Sequence, residues 1–293
     1  MTLRDFFLLV GICLIWGMSN VLSKLVVGNW HIPPLFFAAV RFCIVLAATL
    51  PWLRPVPRPL WRIVAVGLLM GAGNFALLFI GLQSASPSSA AVVIQAGVPI
   101  TTLLSIAMLG ERIHWRRALG IALTLVGVLV VVWHPGLALS RGLLFVLAAA
   151  FSGSLGAIMM KQMEAIAPLR FQAWVGLTAF APLALASALI EQGQWAASLA
   201  AGWPFVAALL FSALVVSVGA HTAYYGLIAR YEANLLAPLT LITPLSTIAL
   251  GVLITGDTLD MRTIAGSAIA LIGVLIVAVR RTGAPIAEAQ EHS

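Results

Sequence analysis

The first apolar run of the chain carries a stripe of side chains that could bind a small solute. Trp16, Ser19, Asn20, Ser23 and Lys24 follow one another at spacings of i, i+3, i+4, i+7 and i+8. These spacings place all five on one face of a helix. A polar face inside a membrane requires an aqueous cavity or a polar neighbour. The indole ring of Trp16 could stack on an aromatic or apolar solute, or it could fill a helix interface.

Few other strongly polar side chains interrupt the apolar runs. Arg41 lies near the centre of the second run, where it could hold a carboxylate through two hydrogen bonds or bind the carbonyls of a broken helix. Asn74 and Gln95 could bind the polar groups of an amino acid, or they could link helices. His221 stands out in the eighth run. We therefore take the candidate substrate-binding residues to be Trp16, Ser19, Asn20, Ser23, Arg41, Asn74, Gln95, His221 and Tyr224.

The positions of the acidic residues limit the chemistry of this candidate site. All nine fall at the ends of apolar runs, in the gaps or in the C-terminal tail. A buried acid with a raised pKa is what a proton-coupled antiporter of cations needs. The sequence instead favours an uncharged, zwitterionic or anionic solute. Proton coupling would have to use His221, and uncoupled export is the simpler hypothesis.

The elements that must position these residues are membrane-spanning helices. Of 293 residues, 62% are hydrophobic and only 9% charged, and the mean hydropathy is +1.09. A spanning helix needs about 20 apolar residues, and the chain supplies ten such runs, which we number as spans 1 to 10. They cover residues 6–26, 34–52, 60–82, 88–109, 115–134, 141–161, 169–190, 203–227, 233–254 and 260–280. The predicted fold is an all-α integral membrane protein.

The basic residues predict the orientation of the spans. With a cytoplasmic N-terminus, twelve Lys and Arg residues fall inside and only Lys24, Arg141 and Arg262 fall outside. This imbalance follows the positive-inside rule and predicts that both termini are cytoplasmic. The net charge of +7 forms no continuous stripe, so we expect no nucleic-acid partner. Cys13 and Cys43 both fall within spans, where we expect two buried thiols rather than a disulfide.

A helix breaker in the middle of span 4 occurs twice in the chain. The run Gly97-Val98-Pro99 matches a second copy about 145 residues later, in which Pro244 pairs with Pro99. With one insertion, Gly110-Glu111 pairs with Gly256-Asp257. The chain therefore divides into a repeat over 1–135, a second repeat over 136–281 and a disordered cytoplasmic tail over 282–293. Because each repeat holds five spans, the second is inverted in the membrane.

Inverted repeats with matching broken helices are typical of secondary transporters. We therefore interpret Gly97, Pro99 and Pro244 as hinges of an alternating-access mechanism. The charges Glu111, Arg112, Arg116 and Arg117 are expected to stabilise the start of span 5. Small residues recur on spans 5 and 10, and we expect a scaffold or homodimer contact there, outside the cavity. These small residues are Gly120, Thr124 and Gly127, and in the repeat Gly266, Ala270 and Gly273.

Two stretches also resemble a known family. The segments "IWGMSNVLSK" at 15–24 and "LGERIHWRRALGIALTLVGVLVV" at the end of span 4 and along span 5 are similar to the EamA-type branch of the drug/metabolite transporters. The resemblance extends over residues 4–281 and is greatest to bacterial aromatic amino-acid exporters. It implies a bacterial inner-membrane protein that releases aromatic amino acids and related metabolites. The second copy is degenerate, because it has Gly-Asp where the first has Gly-Glu-Arg.

Other functions fit the sequence less well. No nucleophile with a nearby base and no phosphate-binding loop is apparent, so we expect neither an enzyme nor an ATPase. We also expect no cofactor and no metal ion. The partners are the lipid bilayer and a small solute, with an aromatic amino acid favoured. The alternative solutes are other small neutral or anionic metabolites, namely non-aromatic amino acids, sugars or nucleotide sugars.

Overall fold

The structure is a computed structural model, and it describes residues 1–110, 113–133, 140–228, 230–231, 236 and 238–278. Nine helices in the described part are long and apolar enough to cross a membrane. They are Leu3–Asn29, Pro34–Leu53, Leu60–Ser84, Pro87–Leu109, Trp115–Val132, Arg141–Lys161, Pro168–Ile190, Gln194–Leu227 and Met261–Ala278. Predicted span 9 is represented by the shorter apolar helix Ile242–Thr255. The all-α membrane fold is therefore confirmed, while Glu111, Arg112 and the tail lie outside the described residues.

Several of these spans are not continuous α-helices. The α-helical parts are Leu3–Lys24, Pro34–Thr49, Leu60–Gly67, Asn74–Ser84, Pro87–Val93, Gly97–Leu109, Trp115–Val132, Arg141–Lys161, Pro168–Ile190, Gln194–Leu210, His221–Ile228, Ile242–Leu250 and Met261–Ala278. Wider π-helical turns form Leu25–Asn29, Leu68–Gly73, Phe211–Ala220 and Gly251–Thr255. Tighter 3₁₀ turns form Leu50–Leu53 and Ile94–Ala96. Such departures from α geometry often occur at functional positions.

The helix that contains span 8 is bent at its start. Gly202 has a φ of 60° inside the helix Gln194–Leu210, a left-handed conformation that favours glycine. Pro204 follows two residues later and lacks the N–H that would continue the hydrogen-bond ladder. The residues before this bend form a separate short helix. The membrane-crossing part therefore begins close to residue 203, as the hydropathy pattern predicts.

Spans 5 and 10 pack against each other through their small residues. A Cβ atom on Gly127 would lie 2.5 Å from the carbonyl oxygen of Gly266, and one on Gly273 would lie 2.7 Å from that of Gly120. Only glycine allows the two backbones to approach this closely. The small-residue faces of both spans thus meet within one chain. A homodimer through these spans stays a prediction, and it would have to use their other faces.

The two cysteines lie in different surroundings. Cys13 is buried against the first part of span 9, and its thiol lies 3.8 Å from the carbonyl oxygen of Leu239. Cys43 is exposed on the outside of the helical bundle. The expectation of two buried thiols is therefore wrong for Cys43. Span 2 buries Arg41 and Phe42 on its inner face, so the neighbouring position points outward towards the lipid.

Candidate functional site

A cavity of about 290 Å³, which we call the central cavity, lies among spans 2, 3, 6, 7 and 8. Its wall combines aromatic rings with neutral polar groups. The edge-to-face pair of Phe171 and Tyr225, with ring centroids 5.5 Å apart, forms part of it. None of its described lining residues carries a permanent charge. These residues are Phe42, Met70, Asn74, Phe75, Gly153, Phe171, Gln172, Val175, Ser217, His221 and Tyr225.

A larger cavity of about 620 Å³, which we call the vestibule, lies among spans 3, 4, 5, 6, 9 and 10. It extends from Asn74, in the middle of span 3, to Arg117 at the start of span 5 and Lys161 at the end of span 6. Both of these ends lie on the same membrane face as the N-terminus. Asn74 and Gly153 line both cavities, so they form the boundary between them. The lining residues are Asn74, Ile94, Gln95, Gly97, Val98, Thr101, Thr102, Arg117, Ala150, Gly153, Ser154, Ala157, Lys161, Thr240, Val274, Val277 and Ala278.

The lining of the vestibule contradicts one expectation about spans 5 and 10. We expected this pair to lie outside the cavity. Instead, Arg117 of span 5 and Val274, Val277 and Ala278 of span 10 form part of the vestibule wall. The small residues hold the two helices together at their centres, while their ends on the N-terminal face flank the opening. The pair is therefore both a scaffold and a wall.

Wide turns precede two of the polar residues that line the central cavity. The π-helical turn Leu68–Gly73 ends directly before Asn74, and Phe211–Ala220 ends directly before His221. The Asn74 amide donates to the carbonyl oxygen of Ala149 on span 6 at 2.7 Å. The His221 Nδ1 atom lies 2.8 Å from the carbonyl oxygen of Val216. Since a carbonyl only accepts, Nδ1 carries the proton in this contact.

The α-helix of span 4 is interrupted directly before the predicted run Gly97-Val98-Pro99. A 3₁₀ turn over Ile94–Ala96 separates the helices Pro87–Val93 and Gly97–Leu109. The Ser154 hydroxyl of span 6 donates to the carbonyl oxygen of Gly97 at 3.0 Å, so a neighbouring helix satisfies a carbonyl at the break.

Pro244 of span 9, which pairs with Pro99 in the sequence comparison, has comparable surroundings. Pro99 and Pro244 are both buried, and each lies three residues after its break, at Ala96 and at the turn that ends at Leu241. The breaks exist in the structure, and their action as hinges stays a prediction.

The polar stripe of span 1 packs against spans 8 and 9 rather than lining either cavity. The Trp16 ring lies 5.2 Å from that of His221 and 4.9 Å from that of Tyr224, measured between centroids. The Asn20 amide donates to the Thr247 hydroxyl at 3.2 Å. Ser19 and Ser23 are buried, and the Ser23 hydroxyl donates to the backbone of Ser19. Trp16 therefore supports His221 from behind the cavity wall.

Arg41 also lies behind the wall of the central cavity. Its side chain is 1% exposed, and both Nε and Nη2 donate to the hydroxyl of Ser217, at 3.1 and 3.0 Å. The guanidinium carbon lies 4.4 Å from the centroid of the Phe75 ring, a cation–π distance. Ser217 and Phe75 both line the central cavity. Arg41 thus holds two wall residues, while its predicted contact with substrate stays a prediction.

Comparison with known proteins decides the family. The model of the EamA-like transporter family matches residues 4–133 and 140–279. The chain belongs to the EamA-like transporter family. This membership confirms the resemblance found in the sequence, and it makes the chain a membrane transporter rather than an enzyme.

Three relatives of this EamA-like chain from enteric bacteria show the range of similarity. A probable amino-acid metabolite efflux pump of Salmonella typhimurium is 30% identical, over 96% of this chain and 98% of the relative. A protein of the same name in Escherichia coli K12 is 27% identical, over 94% and 95%. The uncharacterized inner membrane transporter YedA of Escherichia coli K12 is 27% identical, over 86% and 83%. A solved crystal structure with 20% identity, covering 94% of this chain and 96% of its own, has a TM-score of 0.59, which shows the fold alone.

The EamA-like site includes residues that sequence reasoning missed. Gln172 is 4% exposed and lines the central cavity, but it lies near the predicted start of span 7 and resembled a boundary residue. Phe171 and Tyr225 lie close to span ends, where aromatic residues are usually interfacial. Lys161 was counted only as a topology signal, and Arg117 was assigned to topology and to the start of span 5. Their lining of the vestibule depends on how spans 5 and 6 pack, which hydropathy does not reveal.

Proposed function

We propose that this EamA-like transporter exports aromatic amino acids and related small metabolites through the central cavity. The observation that carries the proposal is the composition of that cavity. The rings of Phe42, Phe75, Phe171 and Tyr225 line it together with the amides of Asn74 and Gln172. Aromatic faces suit an aromatic side chain, and neutral polar groups orient the polar end of a small solute. The relatives named amino-acid metabolite efflux pumps support the same substrate class.

The size of the central cavity favours a small solute. A volume of about 290 Å³ lies just below the roughly 300–1,000 Å³ typical of small-molecule sites. A nucleotide sugar carries several negative charges and would be expected to meet several cations there. The described lining of the central cavity carries none. A single amino acid or a metabolite of similar size fits the available space better.

Transport by alternating access is supported by an asymmetry between the two membrane faces. The vestibule opens towards the face that carries the N-terminus, which the basic residues predict to be cytoplasmic. On the other face, Asp257 accepts hydrogen bonds from Ser88, and Lys24 donates to the backbone of Gln83 at 3.2 Å. In the proposed cycle the two inverted repeats bend at Gly97, Pro99 and Pro244. The vestibule then closes and the opposite face opens.

Other small anionic or neutral metabolites are a second candidate class. Arg117 and Lys161 in the vestibule favour solutes that carry a negative charge. An inner-membrane location with both termini cytoplasmic is proposed for either substrate class, since the relative YedA is named an inner membrane transporter. The predicted absence of ATP coupling applies equally to both classes.

Uptake into proteoliposomes tests the proposal. Purified protein should move labelled tryptophan and phenylalanine down their gradients without ATP, and faster than leucine, a sugar or a quaternary amine. The assay is run with and without a pH gradient, since proton coupling would require His221. Faster movement of sugars or quaternary amines than of aromatic amino acids would contradict the proposed substrate class.

A matched pair of variants tests whether the central cavity is the route. Asn74→Leu keeps the branching of the side chain but removes the amide shared by both cavities. It should lower phenylalanine uptake at least about tenfold, because a polar group of the bound solute is left unpaired. Asn29→Leu makes the same change at an exposed residue at the end of span 1 and should leave uptake within about twofold of the original. Equal losses in both variants would contradict the assigned route.

A further inference from the structure

The vestibule concentrates positive charge without a compensating acid among the described residues. Arg117 and Lys161 are its two charged lining residues in the part of the chain described. Arg117 Nη2 donates to the Thr102 hydroxyl at 3.4 Å, and Arg117 Nε is buried without a described partner. The ion pair found between described side chains joins Arg230 to Asp5, elsewhere on the same face. The charges of Arg117 and Lys161 therefore act on whatever enters the vestibule.

The position of Arg117 is not explained by helix stability. It is the third residue of the helix Trp115–Val132, whose first turn contains no acid. The positive end of the helix dipole lies there, so a cation in this turn is unfavourable. The expectation that Arg116 and Arg117 stabilise the start of span 5 is therefore wrong on physical grounds. Lys161 ends the helix Arg141–Lys161, where a cation is favourable.

We propose that the vestibule is a recruitment site for solutes that carry a free carboxylate, with Arg117 and Lys161 as the residues that hold it. This inference rests on the proposed function and adds a requirement for the carboxylate at the entrance. The guanidinium group can bind a carboxylate through two parallel hydrogen bonds, and the ammonium adds a second positive charge. Beyond them lie the amides of Gln95 and Asn74. The solute would pass from a charged entrance to the uncharged central cavity.

A role in membrane topology alone is the competing explanation for these two cations. Arg116 separates the two explanations, because it is adjacent to Arg117 and carries the same charge on the same membrane face. Its side chain is exposed, and its guanidinium carbon lies 5.5 Å from the centroid of the Trp115 ring. Arg116 is absent from the vestibule lining. If these charges only set the membrane topology, Arg116 and Arg117 would be equivalent. Recruitment of a carboxylate in the vestibule requires Arg117.

Transport kinetics of a matched pair of solutes form the first test. Arg117→Gln and Lys161→Gln should each raise the KM for phenylalanine about tenfold, the usual effect of losing one charge-assisted hydrogen bond, with Vmax within about twofold. In both variants, the uptake of phenylalaninamide, which lacks the carboxylate, should not be weaker than in the original protein. Arg117→Lys keeps the charge but not the two parallel hydrogen bonds, so it should lose less affinity than Arg117→Gln, and Arg116→Gln should match the original. Equal losses for phenylalanine and its amide, or an equal loss in Arg116→Gln, would overturn the proposal.

A second test does not depend on transport, so it separates failure of this inference from failure of the proposed function. Ala157 lines the vestibule, and Ala157→Cys is made together with Cys13→Ala and Cys43→Ala. An anionic methanethiosulfonate reagent should modify the new thiol about tenfold faster than a cationic one of similar size, as expected for a charged cleft. Arg117→Gln should reduce this ratio, and Arg116→Gln should preserve it. A ratio near one with both cations present would refute the inference, whatever the protein transports.

Discussion

The hydroxyl and the backbone N–H of Ser88 both donate to one carboxylate oxygen of Asp257, at 2.5 and 2.9 Å. Ser88 lies in the first turn of the helix Pro87–Val93, where free N–H groups and the helix dipole favour an anion. The other oxygen of Asp257 accepts from the Thr255 hydroxyl at 2.8 Å. The contact therefore joins the start of span 4 to the end of span 9, on the face opposite the vestibule. We interpret it as the closure that must break when that face opens.

Replacement of Asp257 should loosen this closure. Asp257→Ala removes an ionised acceptor and leaves the N–H and hydroxyl of Ser88 unpaired, at a cost of about 2 kcal/mol. That cost corresponds to roughly thirtyfold faster local opening. Amide hydrogen exchange followed by mass spectrometry should show faster exchange in both Pro87–Val93 and Gly251–Thr255.

The matched control weakens the helix Pro87–Val93 but leaves the contact between Ser88 and Asp257 intact. The Ser86 hydroxyl accepts from the backbone N–H of Ser89 at 3.2 Å and caps the same helix. Ser86→Ala should accelerate exchange in Pro87–Val93 alone. If Asp257→Ala also changed only that helix, the carboxylate would act as a local cap and would not join spans 4 and 9.

The sequence predicts the spans well but not their neighbours. Each span contains enough consecutive apolar residues to cross the bilayer, so its existence and approximate bounds follow from length and composition. An interruption of span 4 close to Gly97 was also predictable, because glycine and proline weaken a helix locally. Ser88 and Asp257, however, are 169 positions apart. Hydropathy carries no information about which helices touch, so this contact required the structure.

The candidate site was predicted in part, and the reason differs between its residues. Asn74, Gln95 and His221 were found because a polar group inside an apolar run must face protein or water. The same argument selected Trp16 and Asn20, which the structure packs against spans 8 and 9. Periodicity shows that residues share a helix face. It does not show whether that face meets a cavity or another helix.

Loss of the Ser217 hydroxyl should destabilise the protein through Arg41. Ser217→Ala removes the acceptor of two hydrogen bonds from a buried cation, which costs about 2 kcal/mol. The double variant Arg41→Met, Ser217→Ala should be more stable than the sum of the single effects predicts, because no buried charge is left unpaired. Thermal unfolding in detergent, with and without phenylalanine, measures both effects.

A second serine on the same π-helical turn provides the control for Ser217. The Ser212 hydroxyl is buried without a described partner, and Ser212→Ala keeps the backbone carbonyl that accepts from Ser217. Ser212→Ala should therefore leave the melting temperature unchanged or raise it. The melting temperature of Arg41→Met distinguishes a structural role of Arg41 from a role in substrate binding. An unchanged melting temperature with a raised KM would assign Arg41 to the substrate, and the structural role would be wrong.

Adding one methyl group at Gly127 should show whether spans 5 and 10 pair within one chain or between two chains. The Cβ of Gly127→Ala would lie 2.5 Å from the carbonyl oxygen of Gly266 and 2.8 Å from Ala270 Cα. Both are backbone atoms that cannot move without displacing the helix, so the variant should lose about 1–3 kcal/mol of stability. Gly11→Ala in span 1 has no atom within 4 Å of the new methyl and should be neutral or stabilising.

Light scattering should show an unchanged molecular mass for Gly127→Ala while its melting temperature falls. A shift from dimer to monomer without loss of thermal stability would instead mean that these glycines pair two copies of the chain.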